Sequence, residues 1–170
     1  MAIREATVDD IEAIQNVAQQ SWTTDYPEFL SRDSIRDGLD EWYAEDRLRD
    51  AIAWTRALVL VAERDGGVVG FAHATWNVDA TDGTILRVYV APDHRTDGFG
   101  TRLLEETCRI LFEQGVDRIE AMVLDANELG KRFYREFGFE KAGTEPVPVG
   151  EDISQECTFV LERETASDAA

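Results

Sequence analysis

Lysine is nearly absent from this chain of 170 residues, which has only Lys131 and Lys141. Its 17 basic residues face 35 acidic ones, for a formal net charge of -18. Such a surplus excludes a nucleic-acid partner, because a protein that binds phosphate backbones needs a positive surface. The surplus indicates a halophilic organism, since ~1 M salt screens charge repulsion beyond about 3 Å. A merely acidic protein from an ordinary host is the alternative.

Long apolar runs are also missing. No segment approaches the roughly 20 apolar residues of a membrane span, and the N-terminus, MAIREATVDDIEAI, is charged almost at once. We therefore expect a soluble, cytoplasmic protein without a membrane partner. The chain has two cysteines, Cys108 and Cys157, which lie far apart, so neither a disulfide framework nor a CxxC metal site is indicated. We expect two buried or half-buried thiols and no metal.

A hydrophobic content of 44% favours one globular domain, over residues 1–164, with a flexible tail at 165–170. TVDD resembles a capping box that opens a first helix from Thr7 to about Trp22. A second helical region runs from Ser31 to Trp54, as two helices or one bent helix, with interruptions near Gly38 and Ala44.

The remaining elements alternate between strands and helices. Apolar runs predict strands at ALVLVAER, VVGFAHATW, TILRVYVA and RIEAMVL, and a closing pair at FEKAGTEPV and ECTFVLERE. Helices are predicted from Gly100 to Gln114 and from Ala126 to Phe137, the second with a buried stripe of Leu129, Phe133 and Phe137. The order is β-α-α-β-β-β-α-β-α-β-β, an α/β (α+β) domain built around one mixed sheet.

The segment VYVAPDHRTDGFGTRLLEET has the outline of an anion site. A glycine-bearing turn between a strand and a helix exposes consecutive backbone N–H groups, and the helix dipole adds positive potential at the same place. Gly98 and Gly100 allow close approach of a ligand, and Arg95 can add a charged donor. No GK[ST] follows, so the segment is not a P-loop, and its glycine spacing is not the dinucleotide fingerprint. An ordinary glycine-rich turn is the structural alternative.

The pattern V-x-V-x-P-x-x-R-x-x-G-x-G resembles the acetyl-CoA-binding motif of the GNAT superfamily of N-acetyltransferases. A second segment, NELGKRFYREFGF, is similar to that family's other signature, an Asn that opens a helix carrying a Tyr and ending in Gly-Phe. The two segments stand in the family's order, and the element order matches over about residues 3–164. The resemblance implies a GNAT-like fold and transfer of an acetyl group from acetyl-CoA to a primary amine.

The resemblance also implies residue roles. Val88 and Val90, on a strand that splays from its neighbour, would pair with the pantetheine arm, and a backbone N–H close to Val88 or Tyr89 would polarise the thioester carbonyl. Tyr134 would lie near the sulfur and protonate the leaving thiolate, and Asn127 would contact the pantetheine, cap its helix, or both. The pyrophosphate would be surrounded, mostly by backbone amides, by Arg95, Thr96, Asp97, Gly98, Phe99, Gly100 and Thr101.

Asp97 is unusual in such a place, and we expect its side chain to point to solvent, away from the phosphates. Several family members carry a glutamate as general base where Thr84 stands here. A threonine cannot accept the proton, so the amine either arrives neutral or loses its proton through water to Asp25, Glu28, His73 or Asp82; a structural role for His73 is the alternative.

The acceptor site would be formed by QQSWTTDYPEFL and NVDATDG. Trp22, Tyr26 and Phe29 would supply apolar walls, and Asp25 and Glu28 would attract a cationic, polyamine-like amine. A protein N-terminus or lysine is a further candidate acceptor, and a homodimer remains open. Two other functions are retained: an acyl-CoA-binding sensor without turnover, indicated by the missing glutamate, and a nucleotide-binding α/β protein, for which ATP would have to compete.

Overall fold

The computed structural model describes residues 2–26, 30–77 and 81–163, apart from the side chain of Thr96. Its strands form one seven-stranded sheet in the order β1-β2-β3-β4-β5-β7-β6. Strands β4 and β5 are parallel, and the other neighbouring pairs are antiparallel. The strands are β1 Ala2–Glu5, β2 Ala57–Arg64, β3 Gly67–Trp76, β4 Asp82–Val90, β5 Arg118–Leu124, β6 Glu140–Val149 and β7 Asp152–Glu162.

In the described part of the chain, five helices cover the two faces of the sheet. Alternation along β2 sends Val59 and Val61 into one core with the first three helices, and Leu58 and Leu60 into another with the fourth. The mixed α/β fold and the element order predicted from the sequence are therefore confirmed. No helix among the described residues has the length and apolar character needed to cross a membrane. The helices are α1 Ile11–Asp25, α2 Arg32–Trp42, α3 Glu45–Ala53, α4 Phe99–Glu113 and α5 Glu128–Phe137.

The N-terminal helical region differs from the prediction at two points. The capping box is present, with Thr7 and Asp10 closing a 3-10 turn at Val8–Asp10, and α1 then continues to Asp25. The second region divides before Glu45 but continues straight through Gly38, where an interruption was expected. A Cβ at Gly38 would lie 2.7 Å from Cζ3 of Trp22, so this glycine is required for helix packing and not for a break.

Helix α5 is rotated relative to the predicted stripe. Leu129 is 53% exposed, and the helix buries Lys131 and Tyr134 instead. Phe133 and Phe137 are only partly buried. The predicted stripe is wrong because α5 flanks a groove in the sheet, so part of its apolar side faces that groove instead of the core.

Candidate active site

Strands β4 and β5 separate half-way along their length. Their parallel pairing runs from Asp82 opposite Arg118 to Ile85 opposite Ala121 and then stops, although both strands continue. A β-bulge in the β3–β4 pairing at His73 and Ala74 leaves Leu86 as the extra residue of β4 at the same level. Bulges bend a strand and increase its twist, so the bulge accounts for the divergence. The result is a gap in the middle of the sheet.

The main chain of β4 presents hydrogen-bonding groups to this gap. The Ala91 N–H donates to the Val69 carbonyl at 2.8 Å, which places the hydrogen-bonded pairs of β3 and β4 at alternate residues. By that alternation, Tyr89 bonds towards β3, whereas Val88 and Val90 direct their N–H and C=O groups into the gap. The Val90 carbonyl already accepts hydrogen bonds from Arg95 Nε at 3.3 Å and Ser21 Oγ at 3.4 Å.

An outer groove of about 190 Å³ lies at the C-terminal end of β4. Gly98, in the left-handed region at φ +83°, ends a 3-10 turn at Pro92–Asp97 and is the N-cap of α4. The first-turn amides of α4 have no partner within the helix, so they and the positive end of its dipole are available to an anion. The groove is lined by Asp25, Val88, Tyr89, Val90, Arg95, Gly98, Gly100, Thr101, Asn127, Leu129, Gly130 and Phe133.

The Arg95 guanidinium forms a bidentate ion pair with the Asp25 carboxylate. Nη1 and Nη2 donate to the two carboxylate oxygens at 2.8 and 2.7 Å, and both side chains are largely buried. Arg95 was expected at the pyrophosphate and Asp25 at the acceptor. The structure brings them together in the outer groove, where each neutralises the other and α1 is joined to the turn before α4.

Two other residues expected at the pyrophosphate, Asp97 and Phe99, do not line the outer groove. Phe99 is 1% exposed and packs in the core, so only its backbone can serve a ligand. The Asp97 side chain was expected to point to solvent. Its carboxylate instead pairs with Arg64 and lies 3.4 Å from His94 Nδ1. Its negative charge therefore does not face the groove, so an acidic residue in this turn is compatible with an anion site there. The Thr96 side chain lies outside the described part of the structure.

A narrower inner cavity, of about 40 Å³, continues from the outer groove into the gap between β4 and β5. The two share Val88, Tyr89, Asn127, Gly130 and Phe133 as walls. The rest of the inner cavity is formed by Tyr26, Trp42, Leu86, Arg87, Met122, Val123, Leu124, Tyr134 and Glu156.

Tyr134 places a phenol at the inner cavity. The residue is 4% exposed, and its ring is held by Phe133, Phe139 and Phe159 at centroid distances of 5.4, 5.3 and 6.1 Å. Burial raises the pKa of Tyr134 above its ordinary value, so the phenol is protonated at neutral pH. Its hydroxyl makes no hydrogen bond to a described residue. A protonated, rigidly placed donor of this kind suits a general acid.

Asn127 caps α5 and also lines both parts of the site. Its Oδ1 accepts a hydrogen bond from the Gly130 N–H at 2.9 Å. A Cβ at Gly130 would lie 2.7 Å from Asn127 Nδ2 and 2.8 Å from Val123 Cγ2, so only glycine permits this tight turn beside the gap. The capping role is therefore present, and ligand contact by the amide remains compatible with it.

The aromatic residues expected at the acceptor have different positions. Trp22 is fully buried and lines neither the groove nor the cavity, but its Nε1 donates to the Tyr89 hydroxyl at 3.1 Å. Tyr26 does line the inner cavity, with its hydroxyl 3.1 Å from that of Tyr89. Glu28 and Phe29, and part of the loop NVDATDG, lie outside the described residues.

Of the four residues considered as proton acceptors, Asp82 and His73 do not line the cavity, Asp25 lines the outer groove, and Glu28 lies outside the described residues. Thr84 and Asp82 stand where β4 is still paired with β5, and neither lines the site. His73, on β3, pairs with Arg87 of β4 and does not line the cavity. Burial, followed by the charge of Arg87, lowers the pKa of His73 to about 4, so its imidazole is neutral at pH 7.

Two charged residues that line the inner cavity were not predicted from the sequence. The Arg87 guanidinium lies over the rings of Trp42 and Tyr43, at 4.8 and 5.6 Å from their centroids. Glu156, on β7, is half-buried at the same cavity. An arginine inside the apolar run TILRVYV was a usable signal, because a strand seldom buries a charge without a purpose. Glu156 gave no comparable signal, since its strand reads as an ordinary alternating one.

Comparisons with known proteins agree with this geometry. A spermidine N(1)-acetyltransferase from Thermoplasma acidophilum is 27% identical over 147 residues, which cover 84% of this chain and 90% of that protein. The crystal structure of a PaiA N-acetyltransferase from the same organism, in complex with coenzyme A, superposes with a TM-score of 0.80 at 26% identity and covers 91% of this chain and 96% of that one.

A GCN5-related N-acetyltransferase structure from Rhodopseudomonas palustris has the same fold, with a TM-score of 0.80 at 18% identity and 95% coverage of each chain. The model of the acetyltransferase (GNAT) family matches residues 13–139. That match contains the separated strands, the glycine turn and the helix that carries Tyr134. The chain belongs to the GNAT family of acetyltransferases.

Proposed function

We propose that this protein transfers an acetyl group from acetyl-CoA to a primary amine by direct attack in a ternary complex. The observation that carries the proposal is the gap between β4 and β5, which leaves the polar main-chain groups of Val88 and Val90 without a strand partner. An extended, amide-bearing arm fits there as an added strand. The α4 N-terminus stands at the outer end for a pyrophosphate, and Tyr134 stands at the inner end.

The residues of the cavity divide the chemistry between them. Acetyl-CoA supplies an activated thioester, whose carbonyl carbon is attacked by the amine as the C–N bond forms and the C–S bond breaks. A main-chain N–H near Tyr89 polarises the carbonyl oxygen, as a small oxyanion hole. Tyr134 gives its proton to the departing thiolate. Asn127, Gly98, Gly100 and Thr101 hold the donor, and Arg95 fixes the turn through Asp25.

We further propose a small cationic amine as acceptor. The net charge of -18 favours approach of a cation. The spermidine acetyltransferase of Thermoplasma acidophilum, which aligns over most of both chains, supports a polyamine. A protein amine is the second candidate. The working environment that we propose is a high-salt cytoplasm.

A thiol-release assay tests the function directly. Purified protein is given acetyl-CoA and a panel of amines that includes spermidine, short diamines, lysine and a peptide with a free N-terminus. Thiol release that depends on one amine, with the acetylated amine identified by mass spectrometry, is the expected result. Binding of acetyl-CoA without turnover of any amine would favour the alternative of an acyl-CoA sensor, and competition by ATP would favour a nucleotide-binding protein.

A further inference from the structure

The acceptor amine is mostly an ammonium ion at neutral pH and must lose a proton before it can attack. A base for that step has to lie at the inner cavity, near the phenol that protonates the thiolate. Two carboxylates line the site within the described residues, namely Asp25 in the outer groove and Glu156 in the inner cavity. Asp25 already accepts two hydrogen bonds from Arg95, so its oxygens are occupied.

Glu156 is in the opposite situation. It is half-buried, lines the same small cavity as Tyr134, and forms no ion pair within 4.0 Å with a described residue. It lies on β7 opposite Leu124 of β5 and Glu145 of β6. Tyr134 of α5 therefore lines the cavity as a proton donor, and Glu156 of β7 lines it as a carboxylate without an ion pair to a described residue.

We propose that Glu156 is the general base of the reaction, in place of the glutamate that Thr84 replaces; this assignment rests on the proposed acetyl transfer. Glu156 accepts one proton from the ammonium, which frees the nitrogen lone pair to form the C–N bond. Tyr134 then gives its proton to the thiolate and receives the second proton of the nitrogen, so the phenol ends the reaction protonated. One ammonium and one thioester thus become one amide, one thiol and one released proton.

The surroundings of Glu156 suit this task. Among the described residues, the titratable and charged groups that face it are Arg87 and Tyr89 from β4, Glu145 from β6, Tyr26 at the C-terminal cap of α1 and Tyr134 from α5. Burial raises the pKa of Glu156, the Arg87 charge opposes that rise, and the Glu145 charge adds to it. A carboxylate with a raised pKa is a stronger base, which suits it to accept a proton from an ammonium ion.

Glu156→Gln tests the assignment, with Glu162→Gln on the exposed end of β7 as the matched control. At pH 7 we expect kcat for an alkyl ammonium acceptor to fall about 10²-fold or more, with unchanged acetyl-CoA affinity. The deficit should shrink as the pH approaches the pKa of the amine, and also with an amine that is already neutral at pH 7, such as trifluoroethylamine. Glu156→Asp should recover part of the loss, and Glu162→Gln should behave as wild type.

An equal deficit for neutral and charged amines, or a raised KM with unchanged kcat, would overturn the assignment and leave acetyl transfer intact. A wild-type protein that turned over no amine would overturn the proposed function and Glu156 with it. Arg87→Gln provides a second readout, because loss of the positive charge should move the acid limb of the kcat/KM profile to higher pH. An unmoved limb would contradict Glu156 as the group that titrates there.

Discussion

The ion pair of Arg95 with Asp25 determines what each residue does in this site. Each was expected to bind a different ligand, yet they bind each other across 70 residues of chain. An unpaired Asp25 at the mouth of an anion site would repel phosphate groups, and an unpaired Arg95 would leave the Val90 carbonyl without one of its donors. The pair thus removes a repulsive charge and fixes the turn whose backbone amides face the groove.

Tyr134→Phe isolates the acid step at the level of one hydroxyl group. We expect kcat to fall about 10²-fold, because the thiolate loses its proton donor, while acetyl-CoA affinity measured by calorimetry stays the same. The fold should be unaffected, since the hydroxyl bonds to no described residue and the ring contacts remain. Tyr43→Phe is the matched control, because Tyr43 is also buried but lines neither the outer groove nor the inner cavity. Equal activity of the two variants would remove Tyr134 from the mechanism.

His73 predicts a specific acid sensitivity of folding. Its pKa is lowered to about 4 in the folded protein, from 6.5 in the unfolded chain, so between these values the unfolded chain binds more protons. Stability therefore falls as the pH drops from 6.5 to 4, by about 3 kcal/mol, and levels off below. Urea unfolding at pH 7 and pH 4 should show this loss in wild type and a correspondingly smaller loss in His73→Gln.

The matched control for that measurement is His94→Gln, which removes the other histidine of the chain. Carboxylates titrate over part of the same range in every variant, so the quantity to compare is the difference from wild type at each pH. A constant difference between wild type and His73→Gln would contradict a half-buried His73 that is neutral in the folded protein.

At the scale of single elements, the sequence predicted those turns, helix caps and strand boundaries that depend only on neighbouring residues. The β2–β3 hairpin turns on Asp65 and Gly66, both at positive φ, as the DGG sequence indicates. The capping box at Thr7 and the strand RIEAMVL were likewise predicted with correct boundaries. The face that α5 buries was not predictable, because it depends on the gap between β4 and β5. Glu156 was missed for the same reason, since only that gap makes its face of β7 part of a cavity.

Gly38 illustrates an element whose sequence and packing conflict. Glycine lowers helix stability by about 1 kcal/mol relative to alanine, so Gly38→Ala would be stabilising in an isolated helix. Here the new Cβ would lie 2.7 Å from Trp22 and 3.0 Å from Val149, and the Trp22 ring is fixed by Tyr26, Trp42 and Tyr43. Overpacking of this kind costs about 1–3 kcal/mol, so we expect a net destabilisation of about 1 kcal/mol.

Urea denaturation measures that change, and Glu41→Ala, at an exposed position of the same helix, is the control that should stay within about 0.5 kcal/mol of wild type. Gly38→Ala should also disturb the hydrogen bond from Trp22 to Tyr89, and with it the wall of the inner cavity. A stabilised Gly38→Ala would show that α2 can shift away from α1 at no cost, against the packing described.

At the scale of the whole molecule, the surface carries many more acidic than basic residues. Arginines at the surface pair locally with acids, as Arg36 does with Asp33, Arg49 with Glu45 and Arg109 with Glu106. Such exposed pairs stabilise by at most about 1 kcal/mol each, and the whole acidic surplus remains whatever the pairing, because there are 35 acidic residues for 17 basic ones. The folded protein therefore carries a repulsive energy that depends on the salt around it.

We expect the midpoint of thermal unfolding to rise steeply between 0.1 and 3 M KCl, because the screening length falls from about 10 Å at 0.1 M to about 3 Å at 1 M. A variant with five exposed carboxylates changed to amides would carry five fewer negative charges than the wild type, whose net charge is -18, and its midpoint should be higher at low salt and less dependent on KCl. The five are exposed and in no ion pair of the described residues: Glu12, Glu41, Asp50, Glu136 and Glu151. Sorbitol at matched osmolality separates screening from preferential exclusion, since it leaves charge repulsion in place. Parallel KCl curves for the two proteins, or a midpoint that does not rise with KCl, would show that the acidic surplus does not control stability and would remove the argument for a high-salt host.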